Sequence, residues 1–127
     1  AALAAYDIMA AFQYRMEKEL FLMIETEGQC LKMNSASEVY ENALNNQYDL
    51  GILKDSDRLA GLKVLLVEAS LDTVAPADCM MRPLFEKLKQ IFVPVTYETI
   101  VSTHSFAGQR MKLAKTVAGW IESSILR

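Results

Sequence analysis

The sequence predicts an α/β fold, and three observations carry that prediction. Val64-Leu65-Leu66-Val67 is a continuous β-favouring apolar run between Lys63 and Glu68, as expected of a strand buried on both faces of a parallel sheet. Residues 95–101 set Val95, Tyr97, Thr99 and Val101 against Thr96, Glu98 and Ile100, the period of two of a less buried strand near a sheet edge. Each run leads through a loop into a segment of helical period. Two strands joined through such a helix are expected to lie parallel with a right-handed crossover.

The elements follow in order. Residues 3–31 read as one or two helices, because Met9, Phe12, Met16, Leu20 and Met23 recur at spacings of three and four while Arg15, Glu17, Lys18, Glu19 and Glu25 fall mostly elsewhere. Gly28 is the expected stop. A second helix starts at Ser35 or Ser37, where Ser35-x-x-Glu38 has the form of a capping box, and ends in Asn45-Asn46. Residues 47–62, with Gly51, Asp55-Ser56-Asp57 and Gly61, read as a loop with one helical turn. After the strand at 64–67, residues 70–76 form a loop. A helix over 78–92 then presents Met81, Leu84, Leu88 and Ile91 on one stripe, with Pro83 in or just past its first turn. Pro94 ends it. The last helix, over 107–125, places Leu113, Val117, Ile121 and Ile125 four apart with Trp120 beside them.

Composition narrows the function classes. The chain has 127 residues, enough for one domain, and its 52% hydrophobic content supports a buried core. A net charge of −3 with no basic block argues against nucleic acid as partner, since such binders depend on clustered Lys and Arg. No apolar stretch approaches the roughly 20 residues a spanning helix needs, so no membrane span is expected. No secretory leader is visible either. Two cysteines, Cys30 and Cys79, allow one bridge at most, and a reducing cytoplasm is the expected compartment. With His104 the only imidazole, a zinc site of the usual Cys/His type is not expected.

Asp72 and His104 both fall in loops after predicted strands, where open parallel sheets collect functional groups. An Asp paired with a His gives a general base, because the carboxylate fixes the imidazole tautomer and stabilises the imidazolium. At these residues the chain resembles the α/β-hydrolase family. Residues 63–72, Lys-Val-Leu-Leu-Val-Glu-Ala-Ser-Leu-Asp, with Pro76 four residues further on, resemble that family's acid strand and loop. Thr103-His104-Ser105-Phe106, followed by Arg110, Leu113, Val117 and Trp120-Ile121, resembles its histidine loop and final helix. The likeness spans residues 62–125, about half the chain.

The resemblance implies the C-terminal part of an α/β-hydrolase fold, with two parallel strands plus helices over residues 63–127 and an N-terminal helical cap-like segment with its linker over 1–62. It implies Asp72 as triad acid, His104 as general base and a small ester, thioester or amide as acyl substrate. Neither a metal nor an organic cofactor is implied. The family's nucleophile sits in a Gly-x-Ser-x-Gly elbow earlier in the chain. The glycines here are Gly28, Gly51, Gly61, Gly108 and Gly119, and no two stand four residues apart. Two expectations stay open. Either the chain is the C-terminal portion of a longer hydrolase, as its Ala-rich start without Met suggests, or it is a non-catalytic α/β module that assembles with a partner or a second copy through an open strand edge or helical arm. Two strands alone make a poor sheet, so either way the edge of the 64–67 strand is expected to need a partner.

Plainer readings stand beside these. Asp72 can cap a turn, and His104 can be an ordinary loop residue. Ser102 and Ser105 flank His104, and loop hydrogen bonding is their expected role; Ser70 is a turn residue or an orienter of the Asp72 loop. Met9, Met16, Met23, Met33, Met80, Met81 and Met111 line a core stripe or a flexible acyl pocket. A Cys79 thiol working with His104 is not implied by the resemblance. Lys87, Lys89, Lys112 and Lys115 read as solvated helix faces.

Overall fold

The apolar run at 64–67 extends two residues beyond its apolar part. β2 runs Val64–Ala69 and is buried from Leu65 onward, Glu68 included. The computed structural model describes residues 2–3, 5–28 and 35–125. Those residues give, in order, β1 (Ala2–Leu3), α1 (Ile8–Gln13), α2 (Glu17–Glu27), α3 (Ala36–Asn45), a 3-10 helix (Ile52–Leu59), β2, α4 (Met81–Gln90), β3 (Val95–Ile100) and α5 (Arg110–Ile125). The chain forms two compact units, one of Asp7–Lys54 and one of Ala1–Tyr6 with Asp55–Arg127. Ala2, Leu3, Ala5 and Tyr6 thus belong to the unit that contains the sheet.

The sheet has three parallel strands in the order β1-β2-β3, not two. Ala2 and Leu3, in a segment whose composition predicts helix, pair instead with Leu66 and Val67. Strand pairing with the buried β2 overrides the intrinsic preference of alanine for helix. β2 therefore lies between two neighbours, and the edge expected to need a partner is in part covered. β2 and β3 pair over their whole length, from Val64 with Val95 to Ala69 with Ile100.

Period-two alternation sends the two sheet faces to different helices. Leu65, Val67, Ala69 and Ile100 form a buried cluster with Phe106, and Leu113, Val117 and Trp120 of α5 pack on it. The stripe of α5 is therefore 113, 117 and 120, while Ile121 is exposed. Leu66, Glu68 and Tyr97 point to the opposite face, where α4 lies with Met81, Leu84 and Leu88 buried. α4 starts at Met81 rather than near 78, after a turn in which Cys79 and Met80 donate to the Pro76 carbonyl. It ends at Gln90 with Ile91 as its cap, because Phe92 turns left-handed (φ 59°). The amides of Phe92 and Val93 then close on the carbonyls of Lys89 and Leu88, a Schellman closure.

Asp7 caps α1 by accepting from Ala10 N (3.2 Å), and its other oxygen accepts from Ile52 N (3.3 Å). One side chain thus ties the start of the segment to its end. The predicted 3–31 helix breaks at Arg15 (φ 58°), and residues 29–31 lie outside the described residues, as do Cys30 and Met33. Gly28 closes α2 in an ordinary right-handed conformation. Ser35 caps α3 by accepting from Glu38 N (3.1 Å). Tyr40 packs at a tilt against Phe12 and edge-on against Phe21, with ring centroids 5.8 and 5.7 Å apart, so α3 meets both preceding helices. Gly51 is required by packing, since a Cβ there would stand 2.9 Å from Met9. The expected 47–62 loop instead carries a 3-10 helix of eight residues. Among the described residues no helix is long and apolar enough to cross a membrane.

Candidate active site

Beyond the carboxyl ends of β2 and β3 the two chains stay together for two more residues. Ser70 N donates to the Ile100 carbonyl and Leu71 N to the Ser102 carbonyl, both at 2.9 Å. This extension fixes the starting points of the two loops that carry Asp72 and His104. Asp72 N then turns back onto the Ala69 carbonyl (3.1 Å), which points the carboxylate across the end of the sheet.

Asp72 is almost fully enclosed, its side chain only 1% exposed. One oxygen, Oδ1, accepts from the amides of Val74 (2.9 Å) and Ala75 (2.8 Å). The other, Oδ2, lies 2.8 Å from His104 Nδ1. An ionised carboxylate only accepts, so Nδ1 carries the hydrogen and Nε2 holds the lone pair of the neutral ring. The His104 side chain is 41% exposed. No hydroxyl or thiol among the described residues bonds to its Nε2. The arrangement fixes an imidazole at one nitrogen and leaves the other available as a proton acceptor.

The loop that carries His104 is anchored by Phe106. Phe106 N donates to the Thr103 carbonyl (2.9 Å) across a turn that contains His104 and Ser105. Phe106 adopts a left-handed conformation (φ 52°), which a residue with a Cβ enters only against a steric penalty. Its ring is buried against Leu65, Val67, Ala69 and Ile100, and that burial offsets the penalty. Apolar packing thus sets the direction in which the imidazole leaves the backbone.

Asp72 and His104, the two site residues expected from sequence, are therefore in direct contact. Ser102 differs from expectation. Its Oγ is buried with no hydrogen-bond partner among the described residues, and it enters the loop network only through its carbonyl. Cys79 is a free thiol of intermediate burial. Met80 and Met81 are core residues, whereas Met111 is 72% exposed.

A second polar cluster near the site was not foreseen. Glu68, buried in β2, accepts from the Tyr97 hydroxyl and from Arg82 Nε and Nη2 at 3.4 Å. Arg82 also pairs with Asp78 at 2.8 Å. Burial first, and then the Glu68 carboxylate, push the Tyr97 phenol well above its ordinary pKa. The hydrogen bond to Glu68 raises the Arg82 guanidinium likewise. The available signal was register: Glu68 shares its face with Leu66, so a charge there enters the packed side under α4. Among the described residues no three His, Cys, Asp or Glu side chains cluster to hold a metal.

Comparisons of this chain with protein families, with characterised proteins and with solved structures find no match.

Proposed function

We propose that this chain carries the acid and the base of a serine-hydrolase site of the α/β-hydrolase type, acting on a small ester, thioester or amide. The observation that supports it most is the Asp72 Oδ2 to His104 Nδ1 contact of 2.8 Å at the carboxyl ends of adjacent parallel strands. His104 Nε2 takes the proton of a serine hydroxyl as its oxygen bonds to the acyl carbon. It then returns that proton to the leaving group, and a water repeats the exchange to release the acid. Asp72 keeps the ring in the tautomer this requires and stabilises the transient imidazolium. The two amides on Oδ1 hold the carboxylate still while the charge forms and disappears.

The serine comes, on this reading, from a Gly-x-Ser-x-Gly elbow outside the 127 residues, and the Asp7–Lys54 unit stands in chain order where the family carries its variable cap. The test is the reading frame that encodes this chain, followed by fluorophosphonate labelling of the natural-length protein. An upstream elbow, a labelled serine, and loss of labelling in His104→Ala are expected. A frame without an elbow, or labelling untouched by His104→Ala, overturns the proposal.

A further inference from the structure

β3 is an end strand of the sheet, and its peptide groups have an assigned direction. Val64 N donates to the Pro94 carbonyl and Ser70 N to the Ile100 carbonyl, each at 2.9 Å. In a parallel ladder alternate residues address the same neighbour, so residues 94, 96, 98 and 100 face β2. The N–H and C=O groups of Val95, Tyr97 and Thr99 point outward. Thr96, Glu98 and Thr99 are exposed, and no described strand pairs with this edge. A row of unpaired peptide groups without proline is a template for a further strand.

Three more observations gather on the α5 side of that edge. A groove of about 360 Å³ runs between β3 and α5, lined by Thr96, Glu98, Lys115, Thr116, Gly119 and Trp120 among others. Gly119 lies inside the 16-residue α5, where glycine weakens a helix, yet a Cβ built on it meets nothing within 4 Å. Nothing described within the chain requires that glycine. Glu98 and Lys115, of opposite charge, share the groove and have no ion-pair partner among the described residues.

We propose that a second copy of this chain docks here, β3 against β3 in antiparallel register about a twofold axis, with the two α5 helices side by side over the joined sheet. The charges favour a second copy over an unrelated partner. A twofold operation sets each copy's Glu98 beside the other copy's Lys115, and an edge carrying one acid and one base is self-complementary in this isologous sense. Register follows from the same charges. Centring the axis on Glu98 opposes two carboxylates, which is unfavourable, whereas centring it on Tyr97 sets Glu98 opposite Thr96. Gly119 then gives the second copy's helix room to approach. The inference stands apart from the role proposed for His104.

Sedimentation equilibrium of the full chain tests it, with circular dichroism to confirm folding. The expected wild-type result is twice the mass of one chain. Gly119→Leu projects into the groove from a Cβ position that meets nothing within 4 Å and is expected to give a folded monomer. Glu98→Lys and Lys115→Glu each weaken the dimer by about tenfold or more, and the double reversal restores it. A wild-type monomer at every concentration overturns the proposal. So does a Gly119→Leu dimer as tight as wild type, which would place the contact elsewhere, or a double reversal that fails to recover.

Discussion

β2 delivers two buried carboxylates to the same end of the sheet, and their partners set them apart. Glu68 ends on Arg82 and on Tyr97. The first is a permanent cation and the second a phenol held in its protonated form. Neither partner accepts a proton near neutral pH, so the cluster holds β2, β3 and α4 together and passes nothing on. Asp72 is at least as enclosed, but its partner is an imidazole with a second nitrogen free of partners among the described residues. Burial of an acid does not distinguish a structural group from a chemical one. On the proposed reading, the lone pair on the far side of its partner does.

The largest expected effect tests that contrast directly. On the proposed hydrolase reading, Asp72→Asn in the natural-length protein is expected to lower kcat about 10⁴-fold, because an amide no longer enforces the required tautomer. Glu68→Gln is expected to leave kcat within about threefold of wild type. Ester hydrolysis under saturating substrate reads both. Equal losses would show that the two acids act as one unit and would break the comparison.

Stability should rank them the other way. Glu68→Ala strips the Tyr97 hydroxyl of a buried acceptor and leaves a void beneath α4, an expected loss of about 2 kcal/mol. His104→Ala removes a side chain that is 41% exposed, so water enters the space it leaves and replaces its hydrogen bond to Asp72 Oδ2, and the expected change in stability is less than about 1 kcal/mol. Urea unfolding of the present chain measures both. A His104→Ala loss as large as that of Glu68→Ala would recast the imidazole as a structural plug.

The residues that sequence reading recovered share a property: their signal is local. Buried β2 shows as an apolar run, Ser35 as a cap three residues before Glu38, and Asp72 and His104 as polar residues just beyond strand patterns. What it missed depends on contacts distant in sequence. β1 is two residues whose composition favours helix, and only the hydrogen-bonding edge of β2 makes them a strand. Phe92 reads as the last residue of a helix, yet it is the left-handed closing residue and is 92% exposed. Phe106 enters the sequence reading as part of a motif, while its role as anchor of the His104 loop comes from a core assembled by β2, β3 and α5. The Glu68 cluster joins residues 68, 82 and 97, and no spacing rule links them before the register of β2 on β3 is known.

The smallest effect lies in alkaline solution and sharpens the difference between the two acids. Folding moves Tyr97 above its ordinary value of 10.0, so the folded chain keeps a phenolic proton that the unfolded chain gives up. The stability from this contact is complete below about pH 10 and is lost as pH rises further, toward the folded value. Urea midpoints should therefore fall more steeply above pH 10 in the wild type than in Tyr97→Phe, which has no phenol to titrate. Below that pH the two curves should run parallel, with Tyr97→Phe displaced downward by the missing hydrogen bond. Parallel curves across the whole range would mean that Tyr97 holds its proton no more tightly in the folded chain than in the unfolded one. The closed character of its cluster would then rest on Arg82 alone, a guanidinium 55% exposed, and the two carboxylates would differ in degree rather than in kind.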